Sequence, residues 1–324
     1  MKKFIVITSI SHPTKGLKKF SKMEGWDIVL VGDKKTPSDW FLPNVRYLSP
    51  KDQERLGYEI IKFLPWNHYS RKMIGYLYAI EHGADIIFET DDDNIPLDNW
   101  ALPNFISEKT ITSRSNFINI YNYFTEDYVW PRGFPLAEIS KNTSFSIVNN
   151  KNDIAVWQGL ANKDPDVDAI FRLVFNKEIN FNNFENISIQ KNIYCPFNSQ
   201  NTFWKKEFFP LLYLPSTVTF RFTDILRGYV AQRIIWNYGA TVGFTGPSVY
   251  QERNKHNLIN DFKEEIPFYV EIENIVKILD SIKTKNMDKS LIGIYKNLNN
   301  NNHVRTEEIK ILNAWITDVK NLLK

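Results

Sequence analysis

The apolar run Ile86-Ile87-Phe88 opens directly onto Glu89-Thr90-Asp91-Asp92-Asp93-Asn94, and this junction constrains the fold more than any other segment. A short β-branched and aromatic run reads as a buried strand, and strands without polar alternation belong to sheets covered on both faces. Three adjacent carboxylates repel one another, so the end of such a strand is a place where a cation or solvent neutralises them. The residues before it repeat the theme. Segments 4–10 and 28–31 are strand-like, 15–23 carries Leu17, Phe20 and Met23 at helical spacing, and a weaker strand covers 45–48. A helix is expected over 51–63, stopped by Leu64-Pro65. Another is expected over 68–82, with Met73, Leu77 and Ile80 on one face and Gly83 at its end. Alternating strand and helix predicts an open parallel sheet wound with helices, in which ligands bind beyond the carboxyl ends of the strands. The Asp triplet lies at such an end.

The 324 residues carry 40 Lys+Arg and 37 Asp+Glu, a formal net charge of +3. So even a balance excludes a dedicated nucleic-acid binder. The one cysteine, Cys195, excludes an intramolecular disulfide framework and a multi-cysteine zinc site. No stretch reaches the ~18–20 apolar residues of a membrane span. The short apolar start runs into Ser11-His12-Pro13 rather than a cleavage site, so a first strand and a cytoplasmic location are expected. From 110 to 265 the reading is less regular. After Ile266-Pro267, Ile272, Ile275, Val276, Leu279 and Ile282 form a helical stripe. Residues 299–302 read as a linker, and Thr306-Glu307-Glu308 as the cap of a last helix bearing Ile309, Leu312, Ile316 and Val319. The organisation expected is a catalytic α/β domain over 1–267 and a helical appendage over 268–324, which packs on that domain or mediates a homodimer.

Oxygen ligands as dense as Asp91-Asp92-Asp93 suit Mg²⁺ or Mn²⁺, and a metal there would bridge carboxylates to a diphosphate. The alternative is a solvated turn. An EF-hand is excluded, because the loop lacks the glycine and the distal glutamate. Arg71 and Lys72, near a helix start, suit an anion or an exposed basic pair. Asp33, after the second strand, accepts from a base or ribose hydroxyl or simply shapes a turn. The cluster Asp164-Pro165-Asp166-Val167-Asp168 places carboxylates on one side of an extended stretch toward sugar hydroxyls, or forms an Asx turn. Asp224, between Arg221 and Arg227, is either a general base or half of an ion pair. His256 is the natural nitrogen ligand if a carboxylate-bound metal lies near.

Several stretches together resemble the STELLO-type glycosyltransferases. They include Tyr69-Ser70-Arg71-Lys72, Glu89-Thr90-Asp91-Asp92-Asp93-Asn94, Trp130-Pro131-Arg132-Gly133-Phe134-Pro135 and Trp157-Gln158-Gly159-Leu160. Asp164 to Ala169, Pro196-Phe197-Asn198-Ser199-Gln200-Asn201-Thr202 and Asp224 to Tyr229 extend the likeness, which covers about 4–265. A fainter similarity runs to the UDP-arabinopyranose mutases. Both families imply a GT-A fold, with a nucleotide-sugar-binding sheet and a metal-binding Asp motif. The resemblance implies a metal-dependent glycosyltransferase of cell-surface polysaccharide synthesis. Its donor is a nucleotide-diphosphate sugar, UDP-sugar favoured, and its acceptor a glycan or lipid-linked saccharide. On that reading Asp33, Arg71, Lys72, Asp91 and Asp92 hold the donor, and Asp91, Asp93 and His256 hold Mn²⁺ or Mg²⁺. Asp166, Asp168, Asn198 and Arg227 face acceptor or sugar, and Asp224 is the base of an inverting displacement. Plant members carry an N-terminal membrane anchor; this sequence begins at the first strand, so a cytoplasmic enzyme, free or peripheral at the inner membrane face, is expected. The alternatives are a nucleotide-sugar mutase and a non-catalytic sugar-binding scaffold.

Overall fold

The computed structural model describes residues 1–141, 144–252 and 257–324. The N-terminal half opens with β1 (Lys3–Thr8), α1 (Lys15–Phe20), β2 (Asp27–Val31), β3 (Val45–Leu48), α2 (Pro50–Arg55), α3 (Lys72–Glu81) and β4 (Ile86–Asp91). The strands pair in parallel in the order β3-β2-β1-β4. Side chains alternate between faces as the pleat requires: Phe4 and Val6 join one apolar cluster, Ile5 and Ile7 the other. α3 lies so close to the sheet that a Cβ on Gly75 would come within 2.5 Å of Val6.

The middle of the chain adds β5 (Asn94–Pro96), β6 (Ile106–Thr112), the helical turns α4 (Tyr121–Phe124) and α5 (Leu136–Ile139), β7 (Ser146–Asn162) and α6 (Ala169–Val174). It continues through β8 (Ile187–Ile189), β9 (Asn201–Lys205), α7 (Thr223–Trp236) and β10 (Thr241–Gln251). Among the described residues the sheet has ten strands, ordered β3-β2-β1-β4-β9-β7-β6-β8-β10-β5, with β7 also paired to β10. β9 runs antiparallel to β4, so the sheet is mixed rather than purely parallel. A Rossmann-like mixed sheet flanked by helices is the GT-A-type layout that the sequence resemblance implied.

Three helices close the chain: α8 (Leu258–Ser281), α9 (Met287–Asn300) and α10 (Glu307–Leu322). α8 contains Pro267 in its interior, so the boundary expected at 267/268 falls within one continuous helix. The apolar stripes of these helices, including Ile275, Leu279, Ile294, Leu298, Leu312 and Trp315, belong to the cluster that also contains α3 and α7. Two acidic side chains tie them down further. Glu308, in the stretch expected to cap α10, is fully buried and accepts from the Tyr213 hydroxyl and the Ser216 and Thr217 amides. Asp318 accepts from the amides of Glu59 and Ile60 at 2.8 and 2.9 Å. That contact marks where the expected 51–63 helix breaks: α2 ends at Arg55, Gly57 takes a φ of +73°, and a 3-10 turn covers Glu59–Lys62. Among the described residues no helix is long and apolar enough to cross a membrane.

Candidate active site

β1, β2 and β4 all end at one cleft of about 320 Å³. The parallel register sets Thr8 opposite both Val31 and Asp91, so the residues just beyond each strand face the same space. Asp33 lines the cleft. It is buried, and its carboxylate accepts from the amides of Lys34 (2.6 Å) and His68 (3.3 Å). Arg71 also lines it, as expected of an anion-binding group. Its guanidinium donates to Gln53 Oε1 at 3.0 and 2.6 Å and lies 3.4 Å over the Trp66 ring, and burial lowers its pKa to about 10.

Lys72 departs from the expectation. The 68–82 segment begins as a 3-10 turn over Tyr69–Arg71 before α3 starts, and this turns Lys72 away from the cleft lining. Its ammonium is fully buried and donates to Asp91 Oδ1 (3.1 Å), the Tyr69 hydroxyl (2.8 Å) and the Ser199 carbonyl (3.3 Å). The lysine thus sits beneath the Asp triplet as a fixed counter-ion.

The triplet's three carboxylates diverge. Asp91 accepts from Tyr69 and Lys72, Asp92 from the Ser9 hydroxyl, and Asp93 Oδ2 from Gln251 Nε2 at 2.9 Å. Asp93 Oδ1 is buried and has no hydrogen-bond partner among the described residues. Burial raises the pKa of all three, and burial together with the Asp91 charge pushes Asp93 up to about 7. An orphaned, desolvated carboxylate oxygen is a site that a cation satisfies. Among the described residues no three His, Cys, Asp or Glu side chains cluster closely enough to hold a metal by themselves. His256, the expected third ligand, lies outside the described residues.

Arg132 joins Asp166 to Asp224, which the Ser199 and Tyr69 hydroxyls link to Asp91. Its Nε donates to Asp166 Oδ1 at 2.7 Å, and its Nη2 donates to Asp224 Oδ1 and Oδ2 at 3.0 and 2.9 Å. All three residues line the cleft. Burial pushes the Asp224 pKa up, but the Arg132 charge and hydrogen bonds outweigh it and hold the carboxyl below its ordinary value. The arginines adjacent in sequence add only smaller, through-space contributions to this, because their guanidiniums pair elsewhere. Arg221 pairs with Glu265 at 2.6 Å and Arg227 with Glu89 at 2.7 Å.

The acidic 164–168 stretch is not extended. Lys163 has a φ of +69°, and the three carboxylates part company: Asp164 pairs with Arg172, Asp166 with Arg132, and Asp168 caps α6. Asp168 is fully buried, accepts from Phe171 N and Trp130 Nε1, and stands apart from the cleft lining. Burial raises its pKa to about 7. Asn198 and Arg227 also sit behind the lining. Asn198 Nδ2 donates to Asp166 Oδ2, and Arg227 donates to the Asn198 carbonyl. Physically these two position Asp166 rather than meet a ligand. Residue reasoning missed Tyr69, Gln200, Gln251 and Phe220. Arg132 stood in a quoted stretch but was given no role.

Residues 221–323 match the sequence profile of the STELLO glycosyltransferases. The match runs from Arg221 through α10, so the C-terminal helices lie in the region shared with that family. Two Arabidopsis thaliana proteins are similar. "Probable glycosyltransferase STELLO1" is 28% identical over 344 aligned positions, covering 98% of this chain and 44% of its own length. "Probable glycosyltransferase STELLO2" is 31% identical over 300, covering 86% of this chain and 39% of its own. The chain therefore spans less than half the length of these relatives.

Proposed function

We propose, on its likeness to the STELLO-type glycosyltransferases, that the chain transfers a sugar from a nucleotide-diphosphate sugar, first of all a UDP-sugar, to a hydroxyl of a glycan or lipid-linked saccharide. The observation that carries this reading is the convergence on one cleft of Asp33, Arg71, the Asp91–Asp93 triplet, Arg132, Asp166 and Asp224. Asp33, beyond β2, accepts from the base or ribose. Arg71, its plane fixed between Gln53 and Trp66, carries charge for the departing diphosphate. Asp93 and Asp91 are the described residues that would hold a divalent cation, Mn²⁺ or Mg²⁺, whose chemistry is to neutralise the diphosphate as charge develops on it. Lys72 and Tyr69 fix the orientation of Asp91.

Asp224 takes the proton from the acceptor hydroxyl as that oxygen attacks the anomeric carbon, giving inversion. The base must be ionised beforehand, and Arg132 keeps it so. Asp166, held by Arg132 and Asn198, accepts from a sugar hydroxyl. A thermal-shift series of nucleoside diphosphates with and without Mn²⁺ tests the reading. A ligand at about 100 times its Kd stabilises the folded state by about 2.7 kcal/mol. A rise in midpoint that needs both Mn²⁺ and a nucleoside diphosphate, and that disappears in Asp93→Ala, is expected. Equal stabilisation in that variant removes the triplet from the site.

A further inference from the structure

Two half-exposed apolar side chains line the cleft. Ile10, just past β1, is 53% exposed on the Asp33 side. Phe220 is 51% exposed on the 3-10 turn Phe220–Phe222 that leads into α7 and Asp224. Apolar side chains that size are normally taken into the core, and the backbone around Phe220 is not free to drift. Thr219 Oγ1 donates to the Glu264 carbonyl at 2.5 Å, Arg221 donates twice to Glu265 Oε1 at 2.8 and 2.6 Å, and Phe222 N donates to the Thr219 carbonyl at 3.0 Å. The ring is braced edge-on by Tyr69, 5.6 Å away at 67°, and by His68, 6.2 Å away at 69°. What results is a rigidly mounted aromatic surface in a cleft whose other groups nearby in sequence or network are Arg221, Arg132, Asp166 and Asp224. A pyranose ring has that pattern in reverse: C–H bonds on one face, hydroxyls around the rim.

We propose that Phe220 is the platform on which the acceptor's pyranose ring lies, with the hydroxyl to be glycosylated turned toward Asp224. The inference rests on the transferase reading of the cleft and narrows its acceptor to a sugar ring. The apolar contact for the donor's base then falls to Ile10.

The test is saturation-transfer NMR with methyl glucopyranoside, galactopyranoside, mannopyranoside and xylopyranoside, run with Mn²⁺ and UDP and again without them. At least one glycoside is expected to show saturation of its ring C–H protons. Phe220→Ala should weaken its binding about fivefold or more, and Phe220→Trp should bring it back to near the parent value. UDP affinity should stay unchanged in both variants. Silence from every glycoside with the parent protein, or unaltered binding in Phe220→Ala, overturns the platform. Loss of UDP affinity in Phe220→Ala with glycoside binding intact also overturns it, and makes the ring a nucleobase contact. A parent that binds a glycoside through Phe220 but never binds UDP or another nucleoside diphosphate instead sinks the transferase reading, so the two failures are separable.

Discussion

Arg132→Met is the substitution that most directly probes how Asp166 and Asp224 are held. It removes the shared counter-ion of Asp166 and Asp224, whose side chains are only 12% and 10% exposed. Breaking a buried ion pair by deleting one partner costs about 3–5 kcal/mol, because the remaining charge is left uncompensated. Asp166 retains Asn198 Nδ2, and Asp224 retains the Ser199 hydroxyl and amide, so the two losses should not double this figure. The pH dependence has a definite sign. In the parent, Asp224 has a folded-state pKa below its unfolded value, so its contribution is present above the unfolded pKa and is lost as pH falls through the folded one. In the variant the largest lowering cause is gone, and burial is opposed only by the Arg227 and Arg221 charges and the Ser199 hydrogen bonds. The folded pKa therefore rises, and the stability that Asp224 contributes above about pH 4 is diminished. The difference between the two proteins is therefore largest near neutrality and shrinks in acid. Urea unfolding followed by the fluorescence of the 9 tryptophans, at several pH values, measures it. A double-mutant cycle with Asp224→Asn should leave a coupling of about 1 kcal/mol or more. A loss under about 1 kcal/mol at pH 7, a loss independent of pH, or strict additivity with Asp224→Asn refutes the reasoning.

Asp224→Asn keeps the shape and removes the basicity, so donor affinity should hold while transfer falls about 10²–10⁴-fold; a rate near the parent's moves the base to Asp166. Glu308→Ala strands the buried Tyr213 hydroxyl and the Ser216 and Thr217 amides. At about 1–3 kcal/mol per unsatisfied group, it should cost several kcal/mol in urea unfolding, and a negligible loss would mean that α10 does not anchor that loop. Asp168, pushed up to about 7 by burial, keeps its proton in the folded state after the unfolded chain has lost it. Stability contributed by this group therefore falls between about pH 4 and 7, by at most roughly 4 kcal/mol. Asp168→Asn should flatten that part of the stability–pH curve, and an unchanged slope contradicts the assignment.

The parallel N-terminal half was legible because its strands are uninterrupted β-branched runs and its helices keep a 3.6-residue period. The antiparallel insertion of β9 beside β4 was not, since strand direction depends on a partner more than 100 residues away. The same distance explains the site. The triplet announced itself locally, whereas the residue that holds Asp224 ionised, Arg132, lies 92 positions upstream, and the arginines beside it in sequence turn to Glu265 and Glu89. Lys72 looked like a ligand-binding cation because nothing local showed that the 3-10 turn before α3 would direct it beneath Asp91. Asp166 and Asp168 are two residues apart, yet one faces the cleft and the other caps α6, because the chain turns between them, with Val167 N donating to the Pro165 carbonyl at 2.8 Å. The stripes of α8 and α10 were clear, but that their acidic residues are buried anchors shows only in the fold.

Product analysis tests the central claim most directly. The protein with Mn²⁺ is incubated with a panel of nucleotide-diphosphate sugars, with and without saccharide acceptors, and the products are resolved by mass spectrometry and NMR. The account predicts release of the nucleoside diphosphate together with a new glycoside of inverted anomeric configuration, both lost in Asp93→Ala. Interconversion of the donor's ring form without release, or retained donor binding with no turnover across the panel, would contradict it.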